Sequence, residues 1–201
     1  MSKIVDHDAR RGDFIKAAYE TIIENGLANA TVRAVARKAG YTTGALVHYI
    51  GDKDELIRLA LAYSGDIARD SMVAAHGKQR GRNALRKILR EALPSDKRQR
   101  AHWRLWLALW YHSEDNADMR REDKRRYREW TRRLEQVLSE SVEDGELPRS
   151  VDLRLEADAL VAFVDGLGVR HLMSSRGMSA NHLTTLLDRY IDRVYAASVN
   201  A

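Results

Sequence analysis

The chain has 201 residues, of which 44% are hydrophobic and two are proline, so it can bury a core and is globular rather than disordered. It contains no cysteine, which excludes disulfides, thiolate metal sites and cysteine nucleophiles. The formal net charge of +5 comes from residues 76–133, which hold 18 Lys and Arg against 8 Asp and Glu, and solvated helix faces explain this excess as well as nucleic-acid contact does.

Apolar periodicity predicts helices along almost the whole chain and gives no strand-like alternation. Gly26, Gly40, Pro94 and the segment 144–148 are predicted to separate them. The fold class is therefore all-α, with three short N-terminal helices, a connecting helix and a larger bundle. The predicted helices cover residues 9–25, 31–39, 42–50, 52–75, 83–93, 97–112, 117–144, 153–175 and 180–198. The predicted domains are residues 1–52, the connecting helix 53–75, and residues 76–201.

The second and third predicted helices are short and follow one another directly. Thr31 is predicted to cap the second helix, Gly40 to end it, and Thr42 to cap the third. Two short helices joined by a tight glycine turn follow the helix-turn-helix plan, in which the second helix enters the major groove of DNA. Leu46 and Ile50 are predicted to anchor that helix in the core. Small and polar residues are left facing outward, namely Thr43, Gly44, Ala45, Val47 and His48.

The segment 31–56, TVRAVARKAGYTTGALVHYIGDKDEL, resembles the TetR family of transcriptional repressors, and the resemblance is strong over about residues 9–60. Two positions depart from the family pattern. Val47 stands where the family usually has tyrosine, which removes a ring that commonly contacts DNA, and Ile50 replaces the usual phenylalanine. The residues that match the family signature are Thr42, Gly44, Leu46, Tyr49, Lys53 and Asp54.

The resemblance implies roles for individual residues. Lys53 matches a lysine that meets a phosphate at the start of the fourth helix, where helix N-termini attract anions. Thr31 and Tyr49 match other phosphate-contacting positions. Arg33, Thr43 and His48 match positions that read bases, and an arginine can bind O6 and N7 of guanine together. The predicted DNA-binding residues are Thr31, Arg33, Thr42, Thr43, Gly44, Ala45, Val47, His48, Tyr49 and Lys53.

Simpler interpretations of three of these residues remain open. The alternative for Tyr49 is a half-buried packing residue, and the alternative for His48 is a solvated surface residue. The alternative for Arg33 is an ion pair with a carboxylate on a helix. The motif as a whole is more specific than any of its members, and it predicts binding to double-stranded DNA.

Residues 102–111, HWRLWLALWY, place Trp103, Trp106 and Trp110 on one helix face at spacings i, i+3 and i+7. Two interpretations stay open, an aromatic core or a chamber for a small-molecule inducer, and the family's use of this domain for sensing favours the chamber. The predicted ligand-binding residues also include Trp130 and Phe163. Indole rings suit an apolar or amphipathic molecule first and a quaternary amine second. The pattern W-L-A-L-W is similar to the branch of the family that contains choline-responsive repressors.

The last two predicted helices are strongly apolar along one side. The family pairs such helices across a two-fold axis, so the resemblance implies a homodimer, while an ordinary intrachain core is the alternative. The predicted interface residues are Val164, Gly166, Leu167, Leu183, Leu187 and Tyr190.

The predicted function is that of a ligand-responsive repressor, released from a palindromic operator by an inducer. A small helical enzyme and a protein-binding helical adaptor are the rival classes. The seven histidines form no metal-ligand spacing, and no phosphate loop or serine elbow occurs, so we expect no enzyme, metal or cofactor. No segment approaches a membrane span and the N-terminus is unlike a signal peptide, which places the expected location in the cytoplasm.

Overall fold

The computed structural model describes residues 2–113, 116–173 and 178–197, and within these ranges all regular structure is helical. The predicted all-α class is therefore confirmed. A short 3-10 helix, Leu27–Asn29, lies between the first two α-helices. The α-helices are α1 (Ser2–Asn25), α2 (Val32–Ala39), α3 (Thr43–Ile50), α4 (Lys53–His76), α5 (Gly81–Ala92), α6 (Lys97–Ser113), α7 (Ala117–Glu143), α8 (Leu153–Met173) and α9 (Ala180–Ala197).

The largest difference from the predicted elements is at the N-terminus, where α1 begins at Ser2 rather than at residue 9. The apolar pattern that marks a helix begins only where the helix has a core to face. Residues 2–8 contain neither glycine nor proline, so nothing in the sequence stops the helix from continuing beyond that point.

Contacts between residues divide the chain into two compact units. The first unit comprises Met1–Ile67 and Ala101–Glu122, and the second comprises Ala68–Arg100 and Asp123–Ala201. This division differs from the predicted domains, because α6 lies with the N-terminal helices and α4 is shared between the units. The physical reason is the packing of α6, since Leu105 belongs to the same buried cluster as Phe14 and Leu46. Domain boundaries predicted from the positions of loops in the sequence cannot reveal that α6 shares a buried cluster with the N-terminal helices.

The second unit has its own core and its own charged surface. Fully buried leucine and isoleucine side chains come from α5, α7, α8 and α9, among them Leu85, Ile88, Leu138, Leu160 and Leu187. Three arginines of α5, spaced one helical turn apart, pair with two aspartates of α9. The pairs are Arg82 with Asp192, Arg86 with Asp188 and Asp192, and Arg90 with Asp188. The apolar core and this ladder of ion pairs together hold α5 against α9.

Candidate nucleic-acid interface and sensing residues

The turn between α2 and α3 is fixed by two threonine caps and one glycine. The hydroxyl oxygen of Thr31 accepts a hydrogen bond from the backbone N–H of Ala34 at 3.2 Å, and that of Thr42 accepts one from Ala45 at 3.1 Å. Between them Gly40 adopts a left-handed conformation, with φ of 78°, which glycine reaches without a steric cost. These contacts set the direction in which α3 leaves α2.

Helix α3 presents a short exposed face above a firmly held buried face. Leu46 is fully buried and Ile50 is 7% exposed, so both anchor α3 as predicted. The exposed face consists of Thr43, Gly44, Val47 and His48. Ala45 was predicted to face outward with these residues. It is instead half-buried and packs against the core, because together with Tyr49 it flanks the buried stripe.

Gly44 leaves the surface of α3 open near the start of the helix. A Cβ atom at Gly44 would meet nothing closer than the hydroxyl oxygen of Thr42, at 3.9 Å. The fold therefore does not require glycine at this position, whereas close approach of a DNA backbone benefits from it.

Lys53 is the first residue of α4 and is exposed, beside the backbone N–H groups that a helix N-terminus leaves without intrahelical partners. Asp52 caps the helix by accepting the N–H of Glu55 at 2.9 Å. Glu55 stands three residues after Asp52, and its carboxylate binds Arg58 through two hydrogen bonds of 2.6 Å. Arg33, in the first turn of α2, is likewise exposed.

Tyr49 has neighbours that the sequence did not reveal. The guanidinium of Arg10 donates a hydrogen bond to the hydroxyl oxygen of Tyr49 at 3.2 Å. The ring centroids of His7 and Tyr49 are 4.6 Å apart. Those of His48 and Tyr49 are 5.2 Å apart, in an edge-to-face arrangement. The available signal was the spacing of His7, Arg10 and Phe14 at i, i+3 and i+7. Of these three residues, only His7 lay outside the helix predicted to begin at residue 9.

The three tryptophans of α6 lie side by side in the first unit. The ring centroids of Trp103 and Trp106 are 6.5 Å apart, and those of Trp106 and Trp110 are 6.2 Å apart. Trp103 is buried, whereas the other two are half-buried. The indole N–H of Trp106 donates to Nε2 of His102 at 3.1 Å, and Nδ1 of His102 lies 2.5 Å from the hydroxyl oxygen of buried Ser64. Because Nε2 accepts, His102 carries its proton on Nδ1 and donates it to Ser64.

The two other predicted ligand-binding residues belong to the second unit. Trp130 is half-buried on α7. Phe163 on α8 is stacked on Tyr190 of α9, with ring centroids 4.1 Å apart and nearly parallel planes. A residue predicted to bind ligand thus forms a pair with one predicted to lie at the dimer interface.

Burial corrects the predicted dimer interface. Val164, Leu167, Leu183 and Leu187 are buried inside the single chain, with Leu183 and Leu187 at 0% exposure. A side chain that is already buried has no surface left to give to a partner, so these four are core residues. The apolar periodicity of α8 and α9 marked the face that packs within the chain, which the sequence alone could not distinguish from a face that meets a second copy.

An exposed apolar stripe runs along the opposite side of α8. Its residues are Leu155, Ala162, Gly166 and Met173. The last three follow Leu155 by 7, 11 and 18 residues, which places all four on one narrow face of the helix. Leu155 and Met173 are each 68% exposed, which is unusual for large hydrophobic side chains. A Cβ atom at Gly166 would meet no atom within 4 Å, so that stretch of α8 is open.

A polar pair lies inside the second unit. The hydroxyl of Tyr127 on α7 donates a hydrogen bond to the carboxylate of Asp165 on α8 at 2.8 Å. Burial raises the pKa of Asp165 to about 6, and the hydrogen bond from Tyr127 opposes that shift only partly. Burial, with the nearby charge of Asp165, also raises the pKa of Tyr127. This pair joins α7 to α8.

Two features of the described residues concern the rival classes of protein. No group of three or more His, Cys, Asp or Glu side chains in the described ranges is arranged to hold a metal ion. Among the helices of those ranges, none combines the length and apolarity that a membrane crossing requires.

A capped glycine turn, an anchored short helix with a small exposed face and a lysine at the next helix N-terminus define a helix-turn-helix DNA-binding protein. Comparison with known proteins makes the class specific. Residues 14–60 match the model of bacterial regulatory proteins of the tetR family, and residues 81–196 match the C-terminal model of BetI-type transcriptional repressors. The chain therefore belongs to the TetR family of helix-turn-helix transcriptional regulators, and it is a regulator rather than an enzyme.

Relatives extend over nearly the whole chain. The HTH-type transcriptional regulator BetI of Paraburkholderia phytofirmans is 30% identical over 202 residues, covering 98% of this chain and 99% of the relative. PksA, an HTH-type transcriptional regulator of Bacillus subtilis, is 26% identical over 196 residues, covering 96% and 94%. A transcriptional regulator from Saccharomonospora viridis, solved in complex with choline, is 26% identical with a TM-score of 0.81, covering 92% of this chain and 96% of that one.

Proposed function

We propose that this regulator is a homodimeric repressor that leaves a palindromic operator when a small quaternary amine of the choline type binds it. The observation that carries the proposal is the packing within the first unit. Helix α6, which carries the tryptophans, and the reading helix α3 contribute Leu105 and Leu46 to one buried cluster. A change at the tryptophans therefore has a packed route to the DNA-binding surface, in the cytoplasm where the DNA is.

We assign phosphate contacts to Thr31, Tyr49 and Lys53, which set the register of the protein on DNA. Lys53 supports this assignment because its charge is exposed at a helix N-terminus. Arg33, Thr43 and His48 are assigned to base edges because all three are exposed around the turn between α2 and α3. Gly44 and Val47 complete the face, and Gly44 admits the DNA backbone.

We propose that the second copy docks on the exposed stripe of α8, which contains Leu155, Ala162, Gly166 and Met173. Small residues in the middle of the stripe permit close approach of helices, and large apolar side chains at its ends add buried area. Tyr190, stacked on Phe163, would border the interface. A dimer is expected on independent grounds, because one helix-turn-helix buries little surface for a tight and specific site.

We propose a quaternary amine rather than a purely apolar ligand, which reverses the order expected from the sequence. The choline bound to the S. viridis regulator supports this choice, as that protein is similar to the chain over 92% of its length. The contacts of Trp106 support it too. Its ring lies beside those of Trp103 and Trp110, and indole ring faces attract quaternary ammonium groups.

The test of this function uses the purified full chain. Fragments of the source genome that the protein retains should contain a palindromic site, and choline should release them. Retention of no particular sequence, or release by neither choline nor related quaternary amines, would contradict the proposal in its first or second half respectively.

A further inference from the structure

Arg10, outside the helix-turn-helix, lies against a residue that we assign to phosphate binding. Its guanidinium donates to the hydroxyl oxygen of Tyr49 at 3.2 Å. The guanidinium carbon also lies 6.0 Å from the centre of the Tyr49 ring, within the range of a cation–π contact. The positive charge of Arg10 is therefore held beside the tip of Tyr49.

The chemistry of this contact favours an anion at the same place. A tyrosine hydroxyl that accepts a hydrogen bond from Arg10 keeps its own proton available for donation. A charged donor on the oxygen polarises the O–H group and strengthens that donation. A guanidinium carries several N–H donors, so its bond to Tyr49 is compatible with a further bond to a phosphate oxygen.

Helix α1 is anchored in the core on the C-terminal side of Arg10. Phe14, one turn further along the same face of α1, is fully buried, and its ring lies 6.1 Å from that of Tyr49. The match to the tetR-family model begins at residue 14, so Arg10 lies outside the matched segment.

We propose that Arg10 binds a phosphate of the DNA backbone together with Tyr49, so that the N-terminal part of α1 belongs to the DNA-binding surface. The inference rests on the proposed phosphate contact of Tyr49. It adds to the helix-turn-helix a contact that positions the protein without reading sequence.

The test measures binding of the full chain to a fluorescein-labelled duplex of arbitrary sequence over a series of salt concentrations. Arg10→Ala should weaken binding several-fold and lower the slope of log affinity against log salt by about one unit, as for loss of one phosphate contact. Arg11→Ala is the matched control, because this neighbouring arginine lies 3.7 Å from the carboxylate of Glu55. It should leave the slope unchanged. Circular dichroism establishes that each variant is folded.

A second pair of variants separates direct binding from an effect through Tyr49. In a Tyr49→Phe background the hydrogen bond between Arg10 and Tyr49 is absent, yet Arg10→Ala should still lower the salt slope. If Arg10→Ala changes the slope only when Tyr49 is intact, or in neither background, Arg10 does not bind phosphate and the inference is overturned.

Two further results bear on the assignment. Arg10→Lys should keep most of the salt slope, because the charge remains, and a slope as low as that of Arg10→Ala would contradict the proposal. Lys53→Ala serves as the reference for the proposed function. If Lys53→Ala lowers the slope and Arg10→Ala does not, only this inference fails. If the wild type shows no salt-dependent binding, the DNA-binding assignment itself fails.

Discussion

Nδ1 of His102 on α6 lies 2.5 Å from the hydroxyl oxygen of Ser64 on α4, and this polar contact ties the tryptophan-bearing helix to the helix whose first residue is Lys53. Both residues lie in the first unit, together with the helix-turn-helix. We therefore propose that a movement of α6 on ligand binding is transmitted to α4, whose first residue, Lys53, is a proposed phosphate contact. Such a link lets one site bias the other, and the bias is reciprocal by thermodynamic linkage.

Ser64→Ala should uncouple ligand binding from DNA release. The substitution leaves the Nδ1 proton of His102 without its acceptor, so we expect a loss of about 1–3 kcal/mol of folding stability. Choline should still change tryptophan emission, but it should weaken DNA binding less than in the wild type. The measurement follows both signals over one choline titration, with Val73→Ala, at an exposed position on the same helix, as the control. Equal coupling in Ser64→Ala and wild type would refute the proposed route.

The nature of the ligand can be decided with a neutral isostere. Choline and 3,3-dimethylbutan-1-ol have the same shape, but only choline is a cation. We expect choline to bind at least ten-fold more tightly, since a desolvated cation–π contact contributes about 2 kcal/mol or more. Trp106→Ala should remove most of that preference. Isothermal titration calorimetry measures both ligands, and equal affinities would favour the apolar ligand that the sequence suggested first.

The assembly is tested at Gly166, where the chain itself has room for a side chain. Since a Cβ atom there meets nothing within 4 Å, Gly166→Trp should fold but should clash with a second copy docked on α8. Gly12 provides the matched control, because it is also exposed in a helix and has the same open space. Light scattering at micromolar concentration should show a dimer for the wild type and Gly12→Trp and a monomer for Gly166→Trp. A dimeric Gly166→Trp would place the interface elsewhere.

Asp165 should make the second unit less stable as the pH rises. Its pKa is raised from 3.8 to about 6 in the folded chain, so the folded state binds that proton more tightly than the unfolded state does. The resulting stabilisation is complete below pH 3.8 and is lost as the pH rises through about 6. Asp165→Asn stays neutral throughout. Relative to wild type it should therefore gain up to about 3 kcal/mol between pH 4 and pH 7.

Urea unfolding at several pH values measures this difference. The control is Asp158→Asn on the same helix, whose carboxylate is exposed and paired with Arg154 at 3.1 Å. It should show no such gain. If the difference between Asp165→Asn and wild type is constant across this pH range, burial does not govern the titration of Asp165.

The elements that follow from local rules were predictable, and those that depend on distant packing were not. Thr31, Gly40 and Thr42 occupy the cap and turn positions expected from the sequence, because capping is decided within a few residues. The placement of α6 was not predictable, since Leu105 joins the buried cluster that contains Phe14 only in the folded chain. Residues of α8 that face the core and those that face outward both repeat at helical spacing. Periodicity therefore could not tell Leu167 from Gly166 as an interface residue.

The most direct test of the account compares Lys53→Ala with Arg33→Ala on two duplexes, a genomic fragment that the wild type retains and a scrambled fragment of the same length. Lys53→Ala should weaken binding to both equally and lower the salt slope by about one unit, because phosphates are present in every sequence. Arg33→Ala should weaken binding to the genomic fragment by about 1–3 kcal/mol more than to the scrambled one, because base contacts carry the sequence. If neither substitution changes binding to either duplex, α2, α3 and the start of α4 do not form the DNA-binding surface.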